Sequence, residues 1–183
     1  MIAIMSDLID ALGALPARPA ALAAGETLFR RGDPVRAVYL VRAGCLHLTR
    51  FGVDGAAAVM QRATAGTLLA ESSIFSDLYH CDAVAVADSA LLAISRSELR
   101  TAAGAAPALM EALARHLARE VQRTRIRVEV LSRKTVRERL DAWLTLGEGQ
   151  WPVRGSMAAV AQDIGVSPEA FYREMQRRRR IAP

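Results

Sequence analysis

Downstream of Pro107 the hydrophobic period of the chain changes, and that change constrains the fold more than any other feature. Leu113, Leu117, Val121, Thr124, Val128 and Leu131 follow 4-4-3-4-3 spacing, which draws one apolar stripe down a helix of about seven turns. Arg115, Arg119, Arg123, Arg125 and Arg127 lie largely off that stripe, beside Glu111, Glu120 and Glu129. A stripe this long and narrow asks for a partner helix and reads as the seam of a symmetric dimer. Packing on the body of its own chain is the alternative, since helices of globular domains carry such stripes too.

Upstream of Pro107 the pattern is that of strands. Val38-Tyr39-Leu40-Val41 is a brief apolar run, Cys45 to Thr49 alternates, and Ala83 to Ala87 and Leu91 to Ile94 are further apolar runs. Turn signals stand between them at Gly32-Asp33-Pro34, Ala43-Gly44, Asp54-Gly55, Ala65-Gly66 and Asp88-Ser89. Short strands punctuated by glycine predict an antiparallel roll, with Asp54-Gly55 as the tightest hairpin. The expected class is α+β: an N-terminal jelly roll, a long helix and a helical C-terminal domain.

The C-terminal part carries clear helix punctuation. A helix runs from Thr135 to Leu146, where Gly147-Glu148-Gly149 ends it, and Trp151-Pro152-Val153 is an extended link. Ser156 is placed to cap a helix that turns Met157, Val160, Ala161 and Ile164 inward, and Gly165 supplies the left-handed residue that stops it. Ser167 caps the next helix, with Pro168 at its first position, where a missing N–H costs nothing. Helix, short turn and helix make a helix-turn-helix.

Charge is distributed to match. Residues 1–108 carry nine Lys and Arg against ten Asp and Glu, whereas residues 109–183 carry fifteen against nine, so the net charge of +5 arises wholly in the second part. A basic half joined to a near-neutral half suggests a polyanionic partner. All the basic residues but Lys134 are arginine, whose planar fork suits phosphate and guanine, although a codon bias would produce the same preference. No run of eighteen apolar residues occurs, and the apolar stretch from Met1 to Leu15 holds Asp7 and Asp10 and lacks a basic start. A cytoplasmic protein with no membrane partner is expected. Cys45 and Cys81 form no C-x-x-C pair and read as buried thiols.

Gly25-Glu26-Thr27-Leu28-Phe29-Arg30-Arg31-Gly32-Asp33, then Val38-Tyr39-Leu40-Val41 and Gly44, resemble the opening of the cyclic-nucleotide-binding roll. Ala161, Gly165, Val166, Ser167, Glu169 and Arg173 resemble a DNA-reading motif. In this order they make the chain similar to the cyclic-AMP-receptor/fumarate–nitrate-reductase (Crp/Fnr) family of transcription regulators over nearly its whole length. The resemblance implies a sensor roll over residues 1–106, a dimerisation helix over 107–132 and a helix-turn-helix domain over 133–183. It also implies a homodimer on an inverted repeat of double-stranded DNA, and RNA polymerase as a further partner.

The DNA-contacting set is expected to be Ser167, Pro168, Glu169, Tyr172, Arg173, Gln176 and Arg177. Arginine pairs bidentately with guanine and glutamate accepts from cytosine. The family match implies that Glu169 and Arg173 read bases in a half-site such as TGA, while Pro168 and Tyr172 depart from the commoner family residues. A solvated i, i+4 pair is the bland reading of Glu169 and Arg173. Arg177 to Arg180 are expected to meet phosphate, or else to form a solvated tail. Only Ile181-Ala182-Pro183 follow where family members continue into a two-stranded wing, so the domain is expected either to lack its wing or to have been shortened.

The effector-pocket candidates are Ala70, Glu71, Ser72, Cys81 and Asp82. Cyclic-nucleotide-binding members have a glycine and glutamate, then an arginine and serine ten residues on, holding ribose and phosphate. Here Glu71 is kept, but the glycine is Ala70 and the arginine and serine are Cys81 and Asp82, so cyclic AMP is not expected to bind in the usual manner and no cofactor is assigned. His80 beside Cys81 raises a redox, metal or haem possibility, opposed by the rule that neighbours on a strand point to opposite faces. Two other functional classes compete with this one. A metal-dependent enzyme on a cupin-like roll needs converging histidines, and His47, His80 and His116 are isolated. A protein-interaction module would associate without steep salt dependence.

Overall fold

Two long strands, bent together, organise the first half of the molecule. The computed structural model describes residues 2–52, 55, 57–146 and 157–181, in two compact units, Met1–Leu117 and Ala118–Pro183. The elements of the first unit are α1 (Ile2–Gly13), β1 (Ala17–Leu22), β2 (Thr27–Phe29), β3 (Ala37–Phe51), β4 (Ala57–Thr64), β5 (Leu68–Leu69), a 3₁₀ turn (Glu71–Ser73), β6 (Asp82–Ser95), α2 (Arg96–Ala105) and the start of α3 (Pro107–Leu131). The second holds the rest of α3, then α4 (Val136–Leu146), α5 (Met157–Asp163) and α6 (Pro168–Ile181). No helix among the described residues is long and apolar enough to cross a membrane.

The sheet is antiparallel in the order β1-β6-β3-β4, with β2 added to β6 and β5 to β3. Val38–Val41 and Cys45–Thr49, expected as separate strands, are one strand, β3. Ala83–Ala87 and Leu91–Ile94 are likewise one strand, β6. The signals at Ala43-Gly44 and Asp88-Ser89 mark opposed bulges, not turns, and the β3–β6 register shifts three times between Val41 and Leu46. Ser89 Oγ accepts the Cys45 N–H at 3.1 Å and donates to the Ala87 carbonyl at 2.7 Å, which satisfies groups that the interrupted ladder leaves over.

The remaining turn signals act as turns. Gly66, at φ +84, donates to the Val41 carbonyl, and Gly32, at φ +89, to the Tyr79 carbonyl. The last β3–β4 pair is Phe51 with Ala57, and Gly55 in that connection has φ +78 and donates to the Gly52 carbonyl. Asp54, its expected hairpin partner, lies outside the described residues, as do Gly147-Glu148-Gly149, Trp151-Pro152-Val153 and Ser156.

Inside the roll, Val41, Leu46, Leu48, Ala83, Ala85 and Leu91 project from β3 and β6 onto Phe29, Tyr79 and Cys81. The Phe29 ring stacks on Tyr79 with centroids 3.7 Å apart, and the Tyr79 hydroxyl donates to the Ala37 carbonyl at 2.7 Å. Burial first, and then the hydrogen bond and charge of Tyr79, push the Tyr39 phenol above the ordinary tyrosine range. Beneath the roll a second cluster joins Leu8 and Leu12 of α1 to Val38, Leu68, Ile74, Ile94, Leu99, Leu109 and Leu113.

That cluster corrects the expected stripe on α3. Leu113 is buried with Leu109 against the roll of its own chain, whereas Met110 is 40% exposed one residue away. Val121 and Val128 are exposed, at 49% and 62%. The open seam therefore starts at Met110 and continues through Ala114, Leu117, Val121, Thr124 and Val128, at 4-3-4-3-4 spacing.

The approach of the bulges generates a test. A methyl group added at Gly44, which has φ +86, would run into the Asp88 carbonyl and the Ser89 side chain, whereas nothing lies within 4 Å of one added at Gly66. Gly44→Ala should destabilise the protein by ~2–6 kcal/mol, combining left-handed strain with overpacking. Gly66→Ala should cost only the strain, ~1–2 kcal/mol. Equal shifts of the urea midpoint for the two variants would refute this account of the bend.

Candidate functional site

In the second unit, the turn between α5 and α6 follows from its residues one by one. Gly165 adopts φ +65, and a Cβ there would come within 2.7 Å of Leu131 Cδ2. Val166 N donates to the Ala161 carbonyl at 2.9 Å and Gly165 N to Gln162 at 3.1 Å, the bond pair of a Schellman stop. Ser167 Oγ accepts the Ala170 N–H at 3.2 Å, and Pro168 opens α6. Arg139 of α4 donates Nη1 to the Ile164 and Gly165 carbonyls at 3.1 and 3.0 Å and Nε to the Arg133 carbonyl at 2.9 Å. Its charge sits at the negative end of α5, where it stabilises the stop. Thr135 and Glu138 close a capping box at the start of α4 through Glu138 N to Thr135 Oγ1 and Thr135 N to Glu138 Oε2.

Helix α6 has two distinct faces. Phe171 and Met175 are buried among Val130, Leu140, Met157, Val160, Ala161 and Ile164. Pro168, Glu169, Tyr172, Arg173 and Gln176 are brought together on the exposed side, with Ser167 exposed just before them. The Glu169 carboxyl is held below the usual carboxylate range, first by its own backbone N–H and then by the Ser167 hydroxyl, with Arg173 adding favourable charge. An acceptor and a donor fork thus stand one turn apart on an open surface.

The arginine run does not act as one block, which corrects the expectation for Arg177–Arg180. Glu174 lies on the inward side of α6 and is only 7% exposed. Its carboxylate takes Arg177 at 2.7 Å and Arg178 at 2.9 Å. Arg178 also reaches Asp141 of α4 at 2.7 Å and donates to the Arg137 carbonyl at 3.1 Å. Desolvation pulls the Arg178 guanidinium down, but the bonds and charges of Glu174 and Asp141 outweigh it and raise its pKa. Arg178 is a clamp between α4 and α6, Arg177 is partly engaged, and Arg179 is exposed. The side chain of Arg180 lies outside the described residues. Sequence reading missed Glu174, Asp141, Arg178 and Arg139 as structural groups. The available signal was Glu174 on the helix face of Phe171 and Met175, since a carboxylate on an apolar face requires partners.

In the first unit, Ala70, Glu71 and Ser72 form the entry of the 3₁₀ turn, and Cys81 and Asp82 the entry of β6. Ala70 is the one non-glycine residue with positive φ among those described, at +66, so the turn keeps the shape that a glycine would take. Ala70 and Cys81 face the roll core, Glu71 is buried and Ser72 exposed. Burial pushes the Cys81 thiol up. Asp82 Oδ1 accepts the Arg31 N–H at 2.6 Å, which binds it to the Arg30–Gly32 turn. His80 is exposed, its Nδ1 3.3 Å from Ser73 Oγ, while Cys81 points inward. Both precede β6 and so lie outside the strand expected to hold them. His47 on β3 has its pKa lowered by burial and then by Arg62. Among the described residues no group of three or more His, Cys, Asp or Glu is arranged to hold a metal ion.

Comparison with known proteins agrees with this architecture. The model of the cyclic nucleotide-binding domain matches residues 19–104. The transcriptional activator protein FnrA of Stutzerimonas stutzeri is 29% identical over 150 residues, covering 82% of this chain and 62% of that protein. The transcriptional activator protein Anr of Pseudomonas aeruginosa is 27% identical over the same shares. The chain thus spans less than two thirds of the length of these relatives. FixK2 of Bradyrhizobium japonicum shares the fold at a TM-score of 0.73, with 22% identity, over 89% of this chain and 84% of that one. The chain carries a cyclic nucleotide-binding domain and is similar to transcription regulators of the Crp/Fnr family. The left-handed Ala70 is informative, because it stands where the resemblance to that family places a glycine.

The clamp gives a further test. Breaking a buried ion pair costs ~3–5 kcal/mol, and partial solvent access of both arginines lowers this to about 2–3 kcal/mol for Glu174→Ala. Chemical denaturation followed by tryptophan fluorescence should report that loss. A change below about 0.5 kcal/mol would show that the Glu174 pairs contribute no more than ordinary surface pairs.

Proposed function

We propose that this chain is a transcription regulator that binds an inverted repeat in double-stranded DNA as a homodimer, with α5 and α6 as its helix-turn-helix. The exposed face of α6 carries this reading, with Glu169, Arg173 and Gln176 opposite the buried Phe171 and Met175. Side chains near the start of a recognition helix reach base edges in the major groove. Arg173 reads guanine by its fork and Glu169 accepts from cytosine, with Ser167, Pro168 and Tyr172 at the rim. Arg177 and Arg179 supply phosphate contacts, which set affinity without carrying sequence. In the dimer the two α6 helices stand about 34–36 Å apart, facing successive major grooves. RNA polymerase is the further partner in this reading, and the activator names of the relatives support regulation of transcription over catalysis.

In this reading the roll does not hold cyclic AMP by a guanidinium and hydroxyl fork. At the matching positions stand Cys81, turned into the core, and Asp82, an anion already engaged by the Arg31 N–H. A cyclic phosphate there would meet a carboxylate in place of its donors.

Selection from random DNA, read by sequencing, should recover a palindrome, and Arg173→Ala should lose ~1–3 kcal/mol on the matched site and relax one base position. Arg179→Ala should instead weaken all sequences alike and flatten the salt dependence. Recovery of no palindrome, or association insensitive to salt, would favour a protein-interaction module. Titration calorimetry with cyclic AMP and cyclic GMP should show no heat of binding. Micromolar affinity for either would overturn the reading of Cys81 and Asp82.

A further inference from the structure

Glu174 is the one buried acid among the described residues of the second unit, yet it belongs to a chain of charges that reaches the surface at both ends. Arg177, Glu174, Arg178, Asp141 and Arg137 line one groove between α4 and α6. Asp141 takes Arg178 at 2.7 Å and Arg137 at 3.9 Å, and Glu174 takes Arg178 at 2.9 Å and Arg177 at 2.7 Å. Arg178 thus has two acids, and Asp141 alone balances its single charge. That leaves the Glu174 charge opposite Arg177. Both Nε, at 3.0 Å, and Nη2 of Arg177 lie on Glu174 Oε2, so one edge of its fork is occupied and the Nη1 side remains. The Arg177 side chain is half exposed, and it lies one turn beyond Arg173 on the same side of α6. Arg179, by contrast, is exposed, and no ion pair engages it among the described residues.

We propose that Glu174 is a positioning residue that limits how strongly this chain grips DNA backbone phosphate, because it holds Arg177 by one edge and cancels most of its charge. The proposal rests on the DNA reading above and adds a control on the sequence-independent part of that binding. A phosphate is drawn to a guanidinium by the net field of the groups around it, and a carboxylate in contact with the same guanidinium opposes that field. Burial matters here, since salt screens an exposed acid and reaches a buried one far less. Arg179 therefore contributes a full charge to a phosphate contact and Arg177 only a fraction of one. Phosphate contacts carry no sequence information, so the restraint acts on random and matched DNA alike and lowers the share of the chain held on bulk DNA.

Glu174→Gln in the full-length chain keeps the shape and an acceptor for Arg178 but removes the charge. Fluorescence anisotropy with a random-sequence duplex over a salt series should show two changes. Affinity at about 0.1 M salt should rise roughly 3- to 10-fold per bound copy, and the slope of log affinity against log salt should steepen by about 0.5–0.9 per copy. Loss of a merely structural carboxylate would instead weaken binding and leave the slope no steeper. Adding Arg177→Gln to Glu174→Gln should abolish the gain, because Arg177 carries it. An unchanged or flatter slope for folded Glu174→Gln would overturn the proposal, and so would a gain that survives in the double variant. Should circular dichroism show Glu174→Gln unfolded, the comparison of Arg177→Gln with Arg179→Gln decides. Arg177→Gln should flatten the slope less than half as much as Arg179→Gln, and equal flattening would overturn the proposal. A wild-type chain without salt-dependent DNA binding would overturn the DNA reading itself, and this control with it.

Discussion

The close approach of Gly44 to Asp88 and Ser89 is the contact on which the first unit depends. Strands β3 and β6 are 15 and 14 residues long, and a flat ribbon of that length cannot wrap a core. Opposed bulges bend both strands at one level, so that residues on either side converge on Phe29, Tyr79 and Cys81. A side chain at Gly44 would hold the strands apart where they must touch. The Ser89 hydroxyl then completes the junction by taking over backbone groups that the bend removes from the ladder.

The same junction explains where sequence reading succeeded and where it failed. Apolar alternation located the residues of β3 and β6 correctly, but glycine and aspartate inside a strand carry the same signal as glycine and aspartate at its end. Bulges therefore read as turns and two strands read as four. The reading gave no assignment to α1, β1 or α2. The α5–α6 turn, by contrast, was legible residue by residue, because Gly165, Ser167 and Pro168 each satisfy a local backbone requirement and need no tertiary partner. The stripe on α3 was legible as a period but not as a direction. Leu113 and Met110 are both apolar, and only packing against Leu8, Leu12 and Leu99 decides which of them faces inward.

Arginine serves two different purposes in the second unit, and composition alone does not separate them. Arg139 and Arg178 direct their forks at carbonyls and carboxylates of their own chain, fixing the end of α5 and the seat of α6. Arg173 and Arg179 are left on the surface. A guanidinium already bonded within the fold has little left to offer an external phosphate. The number of charges available to a polyanion is therefore smaller than the sequence count suggests. In the proposed reading the internal pairs still matter, because a helix that is to read bases must first be held at a fixed height and rotation.

Ala70 has a consequence for how the first unit stores free energy. A left-handed alanine costs roughly 1–2 kcal/mol that glycine would not, so the turn from Ala70 onward is not held by local preference. It is gripped from outside: Arg96 of α2 donates to the Ile74 carbonyl at 2.9 Å and pairs with Asp77, and Arg100 lies over the Phe75 ring at 5.5 Å. Helix α2 thus works as a splint on a bent spring. Any displacement of α2 would free the turn to relax, and any relaxation of the turn would loosen the start of the helix that leads into α3.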